Sequence, residues 1–176
     1  KPKKTEMRPL LFSGIALIYG FPLAMAQGLQ TVPSYHGAVL LGVLPLLTAL
    51  FAKLIHRETT SPAFWLWSIV GACLVITFAL REHDGTLQLG DFWLLLAACF
   101  ASYGYVTAGE LSKTRTGPWV ISWSLVVLLP VSLILATANW PAFFWERSTT
   151  VLISVVTLGL VSMYFGFFAW NTALAW

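Results

Sequence analysis

Charged side chains are scarce in this sequence of 176 residues. Asp, Glu, Lys and Arg make up 10% of it, whereas 58% of the residues are hydrophobic and the mean hydropathy is +0.79. A soluble domain carries about a quarter of its residues as charged groups, and with fewer it exposes large apolar patches to water. The composition therefore excludes an ordinary soluble domain and predicts a protein that folds in a lipid bilayer.

Cysteine is also rare. Cys73 and Cys99 both lie within apolar stretches, and no spacing typical of a disulfide framework or a zinc site surrounds them. We interpret both as small apolar residues of helices, and we expect neither a metal nor another cofactor. The small basic excess has a better explanation in membrane topology than in binding to nucleic acid.

The centre of each apolar stretch lacks Asp, Glu, His, Lys and Arg. An ionisable residue at the middle of a bilayer usually marks a proton relay or an ion site. A membrane-embedded enzyme would need nucleophiles, carboxylates or paired histidines within the spans. We therefore predict that the chain is not an enzyme and that it has no catalytic residues.

The sequence does contain apolar stretches long enough for helices to cross a hydrocarbon core of ~30 Å. Charges, prolines and turn residues divide these stretches into six predicted transmembrane helices with short connections. Ser61 and Pro62 provide a cap and a first-position proline for the third helix, and Asp91 is the predicted N-cap of the fourth. The predicted spans are residues 9–31, 37–55, 61–80, 91–111, 118–138 and 149–176. Because apolar residues continue to residue 176 and no initiator Met is present, we expect a fragment of a longer chain.

Lys and Arg lie mainly on one side of this arrangement. Eight of them fall in the leader and in the turns at residues 53–57 and 113–115, and only Arg81 and Arg147 fall on the other side. The positive-inside rule therefore places residues 1–8 in the cytoplasm. The aromatic loop at residues 139–149 is expected to lie on the outer surface of the membrane.

The first and last spans share a weak internal repeat. With a shift of about 145 residues, Ala24 aligns with Ala169 and Leu29 with Leu174. That period holds about five helices, and an odd number of helices per repeat places the two halves in opposite orientations. Inverted repeats are typical of many secondary transporters.

An apolar helix with a central proline, Pro45, occupies residues 37–50 and leads to a polar turn that contains Glu58. A Trp- and Gly-containing helix follows at residues 67–72, and residues 90–103 begin another helix. In order and spacing these segments resemble the drug/metabolite transporter superfamily, EamA type, although Phe100 stands where tryptophan is common. The resemblance implies ten helices in two inverted five-helix repeats. Residues 1–90 would hold the last three helices of the first repeat, and residues 91–176 the first three of the second.

Polar residues within the first and fourth spans are candidates for a substrate site. An amide in hydrocarbon needs a partner, a cavity or water, so Gln27 and Gln30 either join helices or line a cavity. His36 lies just beyond them and is predicted to be a solvated interface residue. In the fourth span, the small residues at positions 97, 101, 104 and 108 form a face that another helix can approach closely. Tyr103 lies on a neighbouring face, where it either lines a cavity or bonds to a backbone carbonyl.

The last span has a comparable small-residue face at positions 159, 162, 166, 169 and 173. Tyr164 and Asn171 share a different face of that span. The predicted substrate-binding residues, which would surround one central cavity, are Gln27, Gln30, Tyr103, Tyr164 and Asn171. Pro45 and Glu58 are predicted to act in gating, because proline kinks a helix and the resemblance implies a cytoplasmic contact for the glutamate. For Glu58 the alternative is an ordinary surface ion pair. Glu110 is expected either to pair with Lys113 or to cap groups of the following loop.

The sequence thus predicts a multi-pass secondary transporter of the bacterial inner membrane. It is expected to act as an exporter or permease of small metabolites, such as amino acids or amphipathic drugs, by alternating access. The expected partners are a small-molecule substrate and membrane lipid, without nucleic acid, and the chain is a monomer or a homodimer. The alternative is a non-transporting membrane subunit or a sensor.

Overall fold

The computed structural model describes residues 1–82, 88–144 and 148–173, without the side chains of residues 38–41, 78–80, 82, 139–144 and 171. Within these ranges the secondary structure is entirely helical, and six helices follow one another along the chain. They are α1 (Lys4–Gly28), α2 (Tyr35–His56), α3 (Pro62–Glu82), α4 (Leu89–Thr114), α5 (Gly117–Phe144) and α6, which begins at Thr149 and is described to Ala173.

Five of the helices, α1, α2, α4, α5 and α6, are long and apolar enough to cross a membrane. The apolar part of α3 is shorter over its described residues, Pro62–Thr77, although the helix itself continues to Glu82. These helices confirm the predicted all-α polytopic membrane protein. The assignment of its helices to a ten-helix inverted repeat stays a prediction.

At one end, α1 and α5 extend furthest beyond the spans predicted for them. α1 begins at Lys4 rather than at residue 9, since the Glu6 carboxylate accepts a hydrogen bond from the backbone N–H of Lys3 at 2.7 Å and caps the first turn. α5 continues through Pro141 to Phe144. The loop predicted at residues 139–149 is therefore shorter than expected, and its residues 145–147 lie outside the described residues.

The predicted caps of α3 and α4 had different outcomes. Ser61 caps α3 as predicted, because its hydroxyl accepts the backbone N–H of Phe64 at 3.2 Å and Pro62 is the first helical residue. Asp91 lies within the first turn of α4 rather than at its N-cap. Its carboxylate accepts the backbone N–H of Gln88 at 2.9 Å, which is the return bond of a capping box.

Both α1 and α6 contain a π-helical segment, in which the backbone is wider than in an α-helix. The segments are Ile15–Gly20 in α1 and Leu158–Phe165 in α6. In α1 the segment ends two residues before Pro22. Because proline lacks an N–H and its ring clashes with the carbonyl one turn earlier, the widened turn accommodates it. No proline follows the segment of α6.

The chain forms two compact units, Ile15–Val106 and Lys1–Gly14 with Thr107–Trp176. In the first unit α2 packs against α3, and a Cβ on Gly42 would clash with a methyl carbon of Val75. In the second unit α1 and α6 both pack against α5. The units reflect spatial proximity, so the assignment of residues 1–90 and 91–176 to two repeats stays a prediction.

Candidate functional site

The small-residue face of α4 is a close helix contact within the unit Ile15–Val106. Ala97 and Ala101 are fully buried on it, and a Cβ on Gly104 would lie only 2.5 Å from Cγ of Leu17. The absent side chain lets Leu17 of α1 lie directly over the α4 backbone. This contact confirms the face predicted from the spacing of small residues.

Tyr103 lies beside this face, next to α2. Its half-buried ring packs edge-on against Phe51, with the ring centroids 5.9 Å apart and an interplanar angle of 79°. The preceding residue, Ser102, is fully buried, and its Oγ has no hydrogen-bond partner among the described residues. A buried hydroxyl without a partner is costly, so Ser102 is an additional candidate for a polar contact with a ligand or water.

Sequence reasoning missed Ser102 because a serine among alanines resembles one more small packing residue. The signal that could have found it is its place directly beside Tyr103, at the centre of α4. Its burial and its lack of a partner are visible only in the folded unit.

Gln27 and Gln30 lie at the end of α1, Gln27 in the last turn and Gln30 in the turn that follows. Both side chains are exposed. The backbone N–H of Gln30 donates to the carbonyl of Gln27 at 3.4 Å, which closes the end of the helix. An exposed amide could either join helices or line a cavity, so the role of Gln27 and Gln30 in substrate binding stays a prediction.

His36, predicted to be solvated, is 4% exposed, so that prediction is wrong. Its Nδ1 lies 2.5 Å from Oδ1 of Asp91, and this pair links the start of α2 to the first turn of α4. The neighbouring Gly90 packs closely as well, since a Cβ there would lie 2.5 Å from Oγ1 of Thr31. The two residues are 55 positions apart in the sequence, which conceals their pairing.

Tyr164 lies in the second unit, within the π segment of α6. Its hydroxyl oxygen is 3.3 Å from Oγ of Ser122 on α5, and either group can donate the hydrogen bond. The side chain of Asn171, predicted on the same face, lies outside the described residues. The predicted site is therefore described as Tyr103 in one unit and Tyr164 in the other, and a shared cavity stays a prediction.

The small-residue face of α6 is not packed against the described residues. A Cβ on Gly159 would meet no described atom within 4 Å, and one on Gly166 would meet only a carbonyl of its own helix. None of the described side chains of α6 is buried. A groove of about 390 Å³ runs along the helix, lined by Ile153, Ser154, Thr157, Leu158, Val161 and Ser162.

The predicted gating residues lie at exposed positions. Pro45 is exposed within α2, which continues unbroken from Tyr35 to His56. Glu58 is exposed just after α2, and its backbone N–H donates to the carbonyl of Ala52 at 3.4 Å. Between α2 and Glu58, the helix is ended by Arg57, a non-glycine residue in the left-handed region with φ of 55°. A gating role for Pro45 and Glu58 stays a prediction.

Ion pairs concentrate at the junction of α4 and α5. Arg115 Nε lies 2.9 Å from Oε1 of Glu6, which fixes the first turn of α1 to this junction. Lys113 and Glu110 form the predicted pair at 2.7 Å, and that prediction is confirmed. Across the described residues, no three His, Cys, Asp or Glu side chains are grouped closely enough to hold a metal ion.

Two curated relatives from Bacillus subtilis (strain 168) are similar to nearly the whole chain. The "uncharacterized transporter YdeK" is 38% identical over 175 residues, which cover 99% of this chain and 61% of that protein. The "uncharacterized transporter YyaM" is 28% identical over 191 residues, which cover 98% of this chain and 60% of that protein. The chain thus spans about three fifths of the length of each relative. No protein-family model and no solved structure matches it. The chain is a multi-pass membrane protein that is similar to two proteins named as transporters.

Proposed function

We propose that the chain forms the central helices of a secondary transporter of the drug/metabolite superfamily, EamA type, in a bacterial inner membrane. In this proposal it moves small metabolites, such as amino acids or amphipathic drugs, by alternating access. The observation that carries the proposal is the similarity to a protein named as a transporter, at 38% identity over 99% of the chain. The names of both relatives are those of transporters rather than enzymes, sensors or subunits.

Matching features of α1 and α6 support the internal repeat on which this mechanism depends. With a shift of 145 residues, Gly14 aligns with Gly159 and Tyr19 with Tyr164, in addition to the alanine pair at positions 24 and 169. The π segments of the two helices also overlap under this shift. Duplicated halves in opposite orientations can exchange conformations and so open a site to one side at a time. A π segment marks a local bend or a functional position more often than a regular helix does.

The spans offer a lining without fixed charge, which favours a substrate without net charge. The candidate polar groups are hydroxyls, with Ser102 and Tyr103 at the centre of α4 in one unit. In the other unit they are Tyr164 of α6 and Ser122, which lies near the start of α5. Hydroxyls and amides offer hydrogen bonds to amino, carboxyl or hydroxyl groups without requiring a fully charged ligand. We include Gln27, Gln30 and Asn171 in the proposed substrate site, and Pro45 and Glu58 in the proposed gates.

The proposal is tested with the protein expressed from its complete reading frame and reconstituted in liposomes. Uptake and release of a panel of labelled amino acids and amphipathic drugs are measured against empty liposomes. We expect at least one compound to move down its gradient at a rate that depends on the protein and saturates with concentration. Equal rates with and without protein over the entire panel would contradict a transport function.

Tyr103→Phe then tests the site, with Tyr35→Phe as the matched control. Loss of one hydrogen bond corresponds to roughly a 2- to 12-fold weaker apparent affinity. Tyr35 lies at the exposed start of α2, so its substitution should change the affinity less than about twofold. Comparable effects of both variants, with normal membrane insertion, would remove Tyr103 from the proposed site.

A further inference from the structure

The described charges of the second unit are concentrated around the start of α1 and the junction of α4 and α5. The six basic side chains are Lys1, Lys3, Lys4, Arg8, Lys113 and Arg115, and the two carboxylates are Glu6 and Glu110, so the net charge is +4. The ion pair between Glu6 and Arg115 joins these two segments across 109 residues of sequence. Tertiary structure thus gathers one basic surface from two separate parts of the chain.

The ion pairs of this surface leave its cations in excess. Glu6 is occupied by Arg115 and by the backbone N–H of Lys3. Glu110 pairs with Lys113, whose side chain is still 52% exposed. The remaining basic side chains, which are all exposed, are those of Lys1, Lys3, Lys4 and Arg8. We name these four residues, together with Lys113, the leader surface.

Aromatic contacts indicate the depth of the leader surface. The Arg115 guanidinium lies over the Trp119 ring, 4.9 Å from its centroid, and Trp123 follows at a centroid distance of 6.2 Å from Trp119. Tryptophan rings favour the headgroup level of a bilayer. The neighbouring Lys and Arg side chains therefore lie at the depth of lipid phosphates.

Apolar side chains continue directly from the basic ones along α1. Met7, Leu11 and Phe12 are exposed, Phe12 by 52%. A soluble anion would cover only the charges, whereas a phospholipid would cover both the charges with its headgroup and the apolar side chains with its acyl chains. This continuity selects a lipid over free phosphate as the ligand.

We propose that the leader surface binds the headgroups of anionic phospholipids. Each Lys or Arg near an anionic membrane surface contributes attraction that corresponds to about a fivefold change in binding. A zwitterionic headgroup has no net charge to match. Anionic lipid thereby fixes the first turn of α1, and with it the junction of α4 and α5, at the membrane surface.

A second basic turn on the predicted cytoplasmic side provides the control. Lys53 and Arg57 at the end of α2 are accompanied by Glu58, which leaves a net charge of +1. Lys53 lies over the Trp65 ring, 5.4 Å from its centroid. This turn has the same residue types as the leader surface but a lower net charge, so it should select anionic lipid less strongly.

The test is native mass spectrometry of the detergent-purified protein with phosphatidylglycerol or phosphatidylcholine of identical acyl chains. We expect phosphatidylglycerol to bind at least about fivefold more tightly. The variant K3Q/K4Q/R8Q should lose this preference, K3R/K4R/R8K should keep it, and K53Q/R57Q should lower it less than the triple variant does. Circular dichroism establishes that each variant is folded, and if the triple variant is not, R8Q alone should lower the preference by about fivefold.

Three outcomes would overturn the proposal. They are equal binding of both lipids by the unaltered protein, an unchanged preference in the folded Gln variant, and an equal loss in K53Q/R57Q. Displacement of phosphatidylglycerol by inorganic phosphate at equal concentration would show a free-anion site and would also overturn it. Because the measurement involves no transport, its result is independent of the proposed function.

Discussion

The first and last helices carry the same local pattern and have very different surroundings. In α1, Gly14 lies against Leu128 of α5, whereas Gly159, its equivalent 145 residues later in α6, meets no described atom. Leu17 is buried in α1, and the residue aligned with it in α6, Ser162, is exposed. A glycine therefore permits close packing without producing it, since a neighbouring helix must supply the side chain that fills the space.

The two helices share a backbone feature although the surroundings of their side chains differ. Both contain a π segment at the equivalent place, although Pro22 follows only the segment of α1. Proline explains the widened turn in α1 and cannot explain it in α6. The widening thus coincides with the repeated pattern, which includes Tyr19 and Tyr164 within the two segments, rather than with proline.

The largest expected difference between the helices is at the positions of Leu17 and Ser162. Leu17→Ala should lower the free energy of unfolding by roughly 2–5 kcal/mol, because it leaves a cavity over Gly104. Ser162→Ala removes an exposed hydroxyl and should change it by less than about 0.5 kcal/mol. Denaturant unfolding in detergent micelles, followed by circular dichroism, measures both. A similar effect of the two variants would show that α6 is packed as α1 is, and the comparison would fail.

A smaller difference is expected at Gly14 and Gly159. A Cβ on Gly14 would lie 2.7 Å from Cδ1 of Leu128, so Gly14→Val overfills the contact and should cost roughly 1–3 kcal/mol. Gly159→Val adds a side chain in open space and should cost less than about 0.5 kcal/mol. Thermal unfolding of the two variants in the same detergent compares them. Equal destabilisation would show that the α6 face is packed as closely as the α1 face, and the comparison would fail.

The smallest effect concerns the contact that α6 does make. Tyr164→Phe and Ser122→Ala should each lower the free energy of unfolding by about 1 kcal/mol, since each removes the same hydrogen bond at 3.3 Å. The double variant should cost little more than either single one, because the bond is lost only once. Additive losses in this double-mutant cycle would show that the two hydroxyls do not interact.

Local features were predictable because neighbouring residues determine them. Ser61 and Pro62 begin α3 through contacts within one turn, and Glu110 reaches Lys113 across three residues. The spacing of alanine and glycine in α4 also revealed a contact face. The caps and the ion pair have their partners within one turn of the same helix. The small-residue face can accept any large side chain, so it can be predicted without knowing which helix supplies that side chain.

Features that depend on distant partners could not be predicted. From its position just outside an apolar span, His36 is expected to be exposed. Its burial follows only from the contact with Asp91, which lies 55 positions later in the sequence. Glu6 and Arg115 are separated by 109 residues, and the sequence contains no signal that joins them. The candidate site could not be predicted completely for the same reason. The burial of the Ser102 hydroxyl without a hydrogen-bond partner depends on how α4 packs against other helices.

The sequence by itself determined that this protein is helical, that it resides in a membrane and that its spans hold no central charge. Hydrophobic length and the positions of charges fix these properties, because the cost of placing polar groups in hydrocarbon applies to each segment separately. Only the tertiary structure decided which of two similar glycine-containing helices is packed, which histidine is paired and where the basic residues gather. Those outcomes depend on contacts between segments that are far apart in the chain, where complementary shape and charge are brought together only by folding.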